Sequence, residues 1–192
     1  MAHFNRYNDM YDFSFMREFI LTHVAKRRYS RGERFQQEGY QCKDIGLVVS
    51  GYFKYTTVTS DGDDAVVGFS FPNDYLCHFT NVFKNQPSEV SITAGTDSDV
   101  VTISANEIRA FFNKDSDMRQ KLSDIFCHLA CEVYERYLDH YRMSPTERYL
   151  QLINRHPVII GSVTMREIAS YLMVTPVYLS RIRKRLKTNR LV

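Results

Sequence analysis

Between Asp115 and Pro145 the sequence contains neither glycine nor proline, and its apolar residues recur every three or four positions. Met118, Leu122, Ile125, Leu129, Val133 and Tyr137 follow spacings of 4, 3, 4, 4 and 4, while Phe126, Leu138 and Tyr141 widen the stripe. Asp115-Ser116-Asp117 supplies an N-cap region, so the pattern predicts one long helix. At about 1.5 Å per residue, roughly 26 residues span about 39 Å, more than a small domain needs to cover its own core. Leu122, Ile125, Phe126, Leu129, Val133 and Tyr137 are therefore expected to face a second protein, and a homodimer through this helix is the expectation. A helix that packs only on its own domain would show the same amphipathicity.

Upstream the period is different. A short helical stretch carries Phe15, Met16, Phe19 and Ile20, and after it residues 45–49, 52–58, 65–71, 90–94 and 100–103 are rich in Val, Ile, Tyr, Phe and Thr. Turn formers separate these runs: Gly39, Gly51, Ser60-Asp61-Gly62-Asp63, Pro72-Asn73-Asp74 and Asp97-Ser98-Asp99. Many short strands at such spacing predict a small sandwich, barrel or roll. A chain of 192 residues fits one or two domains, and 44% hydrophobic with 24% charged residues is the balance of a folded soluble protein.

Downstream of the long helix the start signals are sharp. Ser144-Pro145-Thr146-Glu147 is a capping box with proline at the first helical position, and Thr164-Met165-Arg166-Glu167 is a second capping box. Ile168, Ala169 and Leu172 form the apolar face of a short helix, which Met173-Val174 separate from Thr175-Pro176 and a further helix with Leu179, Ile182 and Leu186 inward. Two short helices joined by a tight turn have the layout of a helix-turn-helix. Residues 142–192 carry ten Lys/Arg against two Glu, a balance of +8, whereas the first 141 residues balance at −5. That asymmetry points to a polyanion, and an αα-hairpin with a solvated basic face is the bland alternative.

Double-stranded DNA is the expected partner. Tyr178, Ser180, Arg181 and Lys184 would face it, with arginine suited to the O6 and N7 of guanine, while Lys184, Arg185 and Lys187 would neutralise phosphates. Backbone amides over Thr175, Pro176 and Val177 would meet a phosphate at the helix N-terminus. Met173 stands where such turns usually place glycine, so a strained turn is expected. Arg148, Arg155 and Arg166 on neighbouring helices are expected to lie toward phosphate.

The order of parts resembles the Crp/Fnr family of bacterial transcription regulators over nearly the whole chain. The resemblance rests on Lys26-Arg27-Arg28-Tyr29-Ser30-Arg31-Gly32-Glu33, on Val49-Ser50-Gly51-Tyr52, and most specifically on Met165-Arg166-Glu167-Ile168-Ala169-Ser170-Tyr171-Leu172 with Thr175-Pro176-Val177-Tyr178-Leu179-Ser180-Arg181-Ile182-Arg183-Lys184. It implies an α+β fold: a cyclic-nucleotide-binding-like β-roll of jelly-roll type (a double-stranded β-helix) over 1–113, a dimerisation helix over 114–143, and a winged helix-turn-helix over 144–192. It further implies a homodimer on a pseudo-palindromic site, Arg181 as a base-reading residue, Val177 in place of a common base-reading Glu, and RNA polymerase as a candidate partner. Only six residues follow Leu186, so the wing is expected to be truncated or absent.

The sensor half departs from the family pattern. Family members that bind cyclic nucleotides hold the ribose with Gly-Glu and the phosphate with an arginine about ten residues later. Here Cys77-His78 and Ser88-Glu89 occupy those positions, and no arginine lies between Arg34 and Arg109. Tyr75, Leu76, Cys77, His78, Ser88 and Glu89 are therefore expected to border an effector pocket that does not take cyclic AMP, with no cofactor assigned. The adjacent Cys77 and His78 read as ordinary packing rather than a metal or haem site, since the strands hold no other histidine.

Other classes are disfavoured. A cupin-type oxygenase needs several histidines and a carboxylate at one metal, and there is no Gly-rich phosphate loop, nucleophile elbow or His-Glu-x-x-His motif. Asp61, Asp63 and Asp64 read as turn chemistry, so neither an enzyme nor catalytic residues are expected. The cysteines Cys42, Cys77, Cys127 and Cys131 form no CxxC pair, the N-terminus is too polar for a signal peptide, and no apolar run approaches the ~18 residues of a membrane span. A cytoplasmic location with no membrane partner is the expectation. A sensor or scaffold whose helical tail binds protein partners is the competing reading.

Overall fold

The β-rich half and helical tail that the pattern predicts are both present in the computed structural model, which describes residues 4–22 and 25–188. Helices α1 (Tyr7–Met10) and α2 (Ser14–Thr22) precede strands β1 (Ala25–Tyr29), β2 (Arg34–Gln36), β3 (Asp44–Ser50), β4 (Phe53–Val58), β5 (Asp64–Ser70), β6 (Tyr75–Leu76), β7 (Ser91–Ala94) and β8 (Ser98–Ser104). Helix α3 (Phe79–Lys84) interrupts the strands. After them come α4 (Ala105–Asn113), α5 (Ser116–Arg142), α6 (Pro145–Arg155), α7 (Ile159–Ser162), α8 (Met165–Tyr171) and α9 (Pro176–Thr188).

The five predicted strands coincide with β3, β4, β5, β7 and β8 to within two residues. The elements without a prediction are short or polar. Strand β1 reads Ala-Lys-Arg-Arg-Tyr with only Tyr29 buried, β6 has two residues, and α3 has six. The helical half begins earlier than expected, at α4, because Ser104 and Glu107 form a capping box: Glu107 N–H donates to Ser104 Oγ at 3.2 Å and Ser104 N–H to Glu107 Oε2 at 3.1 Å.

The strands form two antiparallel sheets of order β1-β8-β3-β6 and β2-β7-β4-β5. Val48, Phe53, Leu76, Ile92 and Val100 fill the space between them. The opposite face of the first sheet is covered too, by Met16 and Ile20 of α2, Ile108 and Phe112 of α4, and Ile125 of α5. Burial on both faces is why β3 and β8 read as nearly continuous apolar runs. Between β3 and β4 the chain turns sharply at Gly51, whose φ of +79° no β-branched residue adopts comfortably and where a Cβ would stand 2.0 Å from Ser98 Oγ.

A third cluster joins the two halves. Tyr149, Leu152 and Ile153 of α6, Ile159, Ile168, Leu179 and Ile182 pack together with Phe4, Tyr52, Val66, Phe69 and Phe71 of the β-rich half. The tail expected as a separate unit from 144 thus shares its core with the roll, because β5 carries Val66 and Phe69 toward α8. No helix among the described residues is long and apolar enough to cross a membrane.

Candidate nucleic-acid interface and sensor cavity

The helix pair α8–α9 is built as its sequence dictates. Thr164 caps α8 by accepting the Glu167 N–H at 3.3 Å, and Glu167 Oε2 returns a bond from Thr164 N–H at 3.1 Å. The helix ends in a Schellman motif, in which Val174 N–H reaches Ala169 O at 3.0 Å and Met173 N–H reaches Ser170 O at 2.9 Å. That motif forces a left-handed residue at its centre. Met173 occupies it with φ +56°, as the missing glycine predicts. Thr175 then caps α9, its Oγ1 accepting the Tyr178 N–H at 3.2 Å.

Ala169, Leu172, Leu179, Ile182 and Leu186 are buried, and this fixes which face of α9 is free. Thr175, Pro176, Val177, Tyr178, Ser180, Arg181, Lys184 and Arg185 are all exposed on that face or its flanks, with Val177 62% accessible. Arg183 is half-buried and turns back to Met165 Sδ at 2.7 Å, and Arg185 also donates to Thr146 Oγ1 at 2.8 Å. Among the described residues, Arg181, Lys184 and Lys187 are the basic groups of the helix without a side-chain partner.

Two of the three auxiliary arginines are not available as expected. Arg148 spends Nη1 on Met143 O at 3.0 Å and Nη2 on Leu172 O at 3.0 Å, clasping the end of α5 to the turn between α8 and α9. Arg155 is paired with Asp9 at 2.6 Å. In both cases a carbonyl or carboxylate of the chain itself already holds the guanidinium. Arg166 is exposed. The wing expectation falls largely on residues 189–192, outside the described residues.

The long helix α5 runs for 27 residues from its Asp115 cap, where Met118 N–H donates to Asp115 Oδ1 at 2.9 Å. Its predicted stripe divides between two faces. Leu122, Ile125 and Leu129 pack on the chain's own roll and helices, and Phe126 lies edge-on to Phe79 and Phe83, so these four do not form a free face. A spacing of four advances about 40° around a helix of 3.6 residues per turn, so the run 125, 129, 133, 137 leaves the buried face after Leu129. Val133 and Tyr137 are exposed as expected. Opposite the buried face lies a different row, Ser123, Cys127, Ala130, Tyr134, Tyr137 and Tyr141, every member exposed. Its spacings of 4, 3, 4, 3 and 4 are those of a coiled-coil seam. Tyr134 stacks on Tyr137, and the Tyr137 and Tyr141 hydroxyls lie 3.0 Å apart.

In the β-rich half the six expected pocket residues separate. A cavity of about 190 Å³ between the roll and α5 is lined by Tyr75 and Cys77, with Tyr7, Tyr55, Phe69, Ser70, Phe79, Ile125 and Leu129 among its other walls. Burial drives the Cys77 thiol and the Tyr55 and Tyr75 hydroxyls well above their usual ranges, so all three are neutral donors. Leu76 does not line it: alternation along β6 turns this side chain between the sheets. Neither do His78, Ser88 or Glu89. His78 Nδ1 accepts the Glu89 N–H at 3.1 Å, Ser88 Oγ donates to Val90 O at 2.7 Å, and the Glu89 carboxylate stands in solvent 3.9 Å from His78 Nε2. Burial lowers the His78 pKa against a smaller upward pull from Glu89. These residues close a loop on itself. The cavity walls come from segments too far apart in sequence to form any motif, which is why only two of them were legible beforehand.

Among the described residues no group of three or more His, Cys, Asp or Glu is placed to hold a metal ion. Comparison with known proteins follows the same lines as the geometry. Residues 26–115 match the family of the cyclic nucleotide-binding domain. FixK2 from Bradyrhizobium japonicum superposes with a TM-score of 0.74 at 18% identity, over 86% of this chain and 85% of that one. A protein of Eubacterium rectale named as a transcriptional regulator of the Crp/Fnr family gives 0.70 at 15% identity, over 97% and 88%. The chain has the Crp/Fnr fold. CLP, the c-di-GMP responsive global regulator of Xanthomonas campestris, matches at 0.61 and 18% identity over 94% of both chains. No curated protein matches the sequence. Of these structures, those from Eubacterium rectale and Xanthomonas campestris are named as regulators.

Proposed function

We propose that this chain is a sequence-specific DNA-binding transcription regulator of Crp/Fnr type. The observation that carries it is the exposed face of α9, where Tyr178, Ser180, Arg181 and Lys184 stand free above a fully buried Leu179, Ile182 and Leu186. A helix so supported enters a major groove, with Arg181 reading guanine and Lys184 and Lys187 on phosphates. The exposed seam on α5 supports a parallel homodimer, which sets two copies of α9 on half-sites about one helical turn, ~34 Å, apart. In this reading 1–113 is the sensor, 114–143 the dimerisation helix and 144–192 the reading head. RNA polymerase is the further partner that the regulator reading brings with it.

The sensor does not take cyclic AMP in this reading. The loop at Ser88 and Glu89 presents a carboxylate where a phosphate would need a cation, and the cavity's 190 Å³ lies below the ~300 Å³ at which ligand pockets ordinarily begin. Neither cofactor nor metal is assigned.

Selection of binding sites from a random duplex library by the purified protein, without effector and at two salt concentrations, tests the reading. Enrichment of a two-fold-symmetric motif is the expected result, with a log-log salt slope that weakens by about one when Lys184 is replaced by Ala. Absence of retention at either salt would overturn the DNA reading in favour of a scaffold that binds protein partners.

A further inference from the structure

The outward side of the first turn of α9 is apolar. At about 100° per residue, Val177 stands roughly 160°, 140° and 180° around the helix from the buried Leu179, Ile182 and Leu186, more nearly opposite them than any other residue of the first two turns. It is 62% exposed and, among the described residues, joins none of the apolar clusters. Valine is also one of the weaker helix formers, so neither packing nor propensity accounts for it there. Its neighbours supply no polar group in its place. Pro176 has no N–H, Thr175 Oγ1 already accepts the Tyr178 N–H at 3.2 Å, and Tyr178 lies about 100° off to one side.

In a major groove every base pair offers hydrogen-bonding groups, but the C5 methyl of thymine is the one apolar group at the base edges. A side chain without donor or acceptor, pressed on any other edge, leaves base groups dry and unpaired, whereas on the methyl it buries apolar surface. Resting on the DNA reading above, we propose that Val177 is a specificity-determining residue, which selects a thymine in each half-site through its C5 methyl. Arg181 follows one turn later on the same side, about 6 Å along the axis and so less than two base-pair steps of ~3.4 Å. The thymine therefore lies within two base pairs of the guanine that Arg181 reads. The two residues divide the work, an arginine for hydrogen-bond acceptors and a valine for a methyl.

The test uses the full chain and the duplex recovered from the random library, with deoxyuridine put in place of each thymidine in turn. That change deletes the methyl and keeps every hydrogen-bonding group. At one thymine in each half-site, close to the guanine whose preference disappears in Arg181→Ala, it is expected to weaken binding about fourfold, the worth of one buried methyl. Cytosine at that position should bind more weakly still, and 5-methylcytosine should recover about fourfold over cytosine. In Val177→Ser the uracil effect should vanish while the guanine preference stays, which also reports that α9 is folded. Tyr178→Ala should keep the uracil effect. A motif with no thymine beside that guanine, uracil tolerated at every thymine, or a uracil effect that survives in Val177→Ser or is lost in Tyr178→Ala would each overturn the role of Val177 and leave the DNA reading standing. A protein that retains no duplex from the library overturns both.

Discussion

Met173 holds a left-handed conformation at φ +56° with its side chain 73% exposed, so it contributes strain to the Schellman turn and almost no packing. A non-glycine residue there costs about 1–2 kcal/mol, part of which glycine's greater freedom in the unfolded chain takes back. Met173→Gly is expected to raise stability by about 0.5–1 kcal/mol, read as a higher urea midpoint at unchanged slope. Asp74 is the opposite case, a buried carboxylate that holds Phe71 N–H at 2.9 Å, Asn5 Nδ2 at 3.1 Å and Asn8 Nδ2 at 2.5 Å. Burial outweighs these bonds and raises its pKa to about 7. Because the unfolded chain releases this proton near its ordinary 3.8, the folded state binds more protons between about pH 4 and 7. The stability contributed by Asp74 is thus full below that window and lost as pH rises through it, by an amount on the order of a few kcal/mol. Thermal unfolding from pH 5 to 8 should show a decline that is shallower in Asp74→Asn, and equal slopes in the two proteins would refute the assignment.

The long helix works as two faces with separate jobs. Ile125, wholly buried against the roll, should cost about 2–4 kcal/mol on replacement by Ala while leaving the oligomeric state alone. Tyr137 and Tyr134 are 54% and 61% exposed, so an Asp at either adds an unpaired charge to the seam without disturbing the fold. Each is expected to weaken the proposed dimer by about 100-fold or more, roughly 3 kcal/mol, in sedimentation equilibrium. A monomer before and after the change would remove the seam. The separation explains why α5 is as long as it is. Its first half, through Leu129, finishes the core beneath the first sheet, and its second half is held to α1 by Glu132, which accepts the Tyr7 N–H at 2.8 Å, and to β5 by Arg136.

At the scale of the whole molecule the helix pair is docked on the roll through a few polar bonds over a shared aromatic core. Lys54 Nζ reaches Glu167 Oε1 at 2.8 Å, the Tyr52 hydroxyl donates to Glu167 Oε2 at 3.2 Å, and Val66 N–H donates to Ser170 Oγ at 2.9 Å. Against the upward push of burial, the bonds from Lys54 and Thr164 keep the Glu167 carboxyl below its usual range. Glu167 therefore serves two levels at once, closing the capping box of α8 and anchoring α8 to β4. Lys54→Met is expected to leave the helix pair folded while speeding amide exchange at Val66 and along α8 by several-fold, since an ion pair of this burial is worth about 1 kcal/mol or more. Unchanged exchange at both places would show that the aromatic core alone carries the docking.

Sequence by itself determined most elements whose signal is local, although α4, with its own capping box at Ser104, lies ahead of the expected helical half. Capping boxes at Ser144 and Thr164, the Asp115 cap and the Pro176 start fix helix ends through bonds made within three residues, and alternation with turn residues fixes the longer strands. The anomalous Met173 was legible for the same reason, because a Schellman turn demands one left-handed residue wherever it occurs. A stripe of 4, 3, 4, 4, 4 could not be divided between partners by counting, since which side of α5 meets the roll depends on where α2 and α4 lie. The cavity walls drawn from Tyr7, Tyr55, Ser70 and Ile125, and the capture of Arg148 and Arg155 by Leu172 O and Asp9, join residues distant in the chain. Only the tertiary structure decided those, because a guanidinium or an apolar wall takes its role from whichever group packing brings within reach.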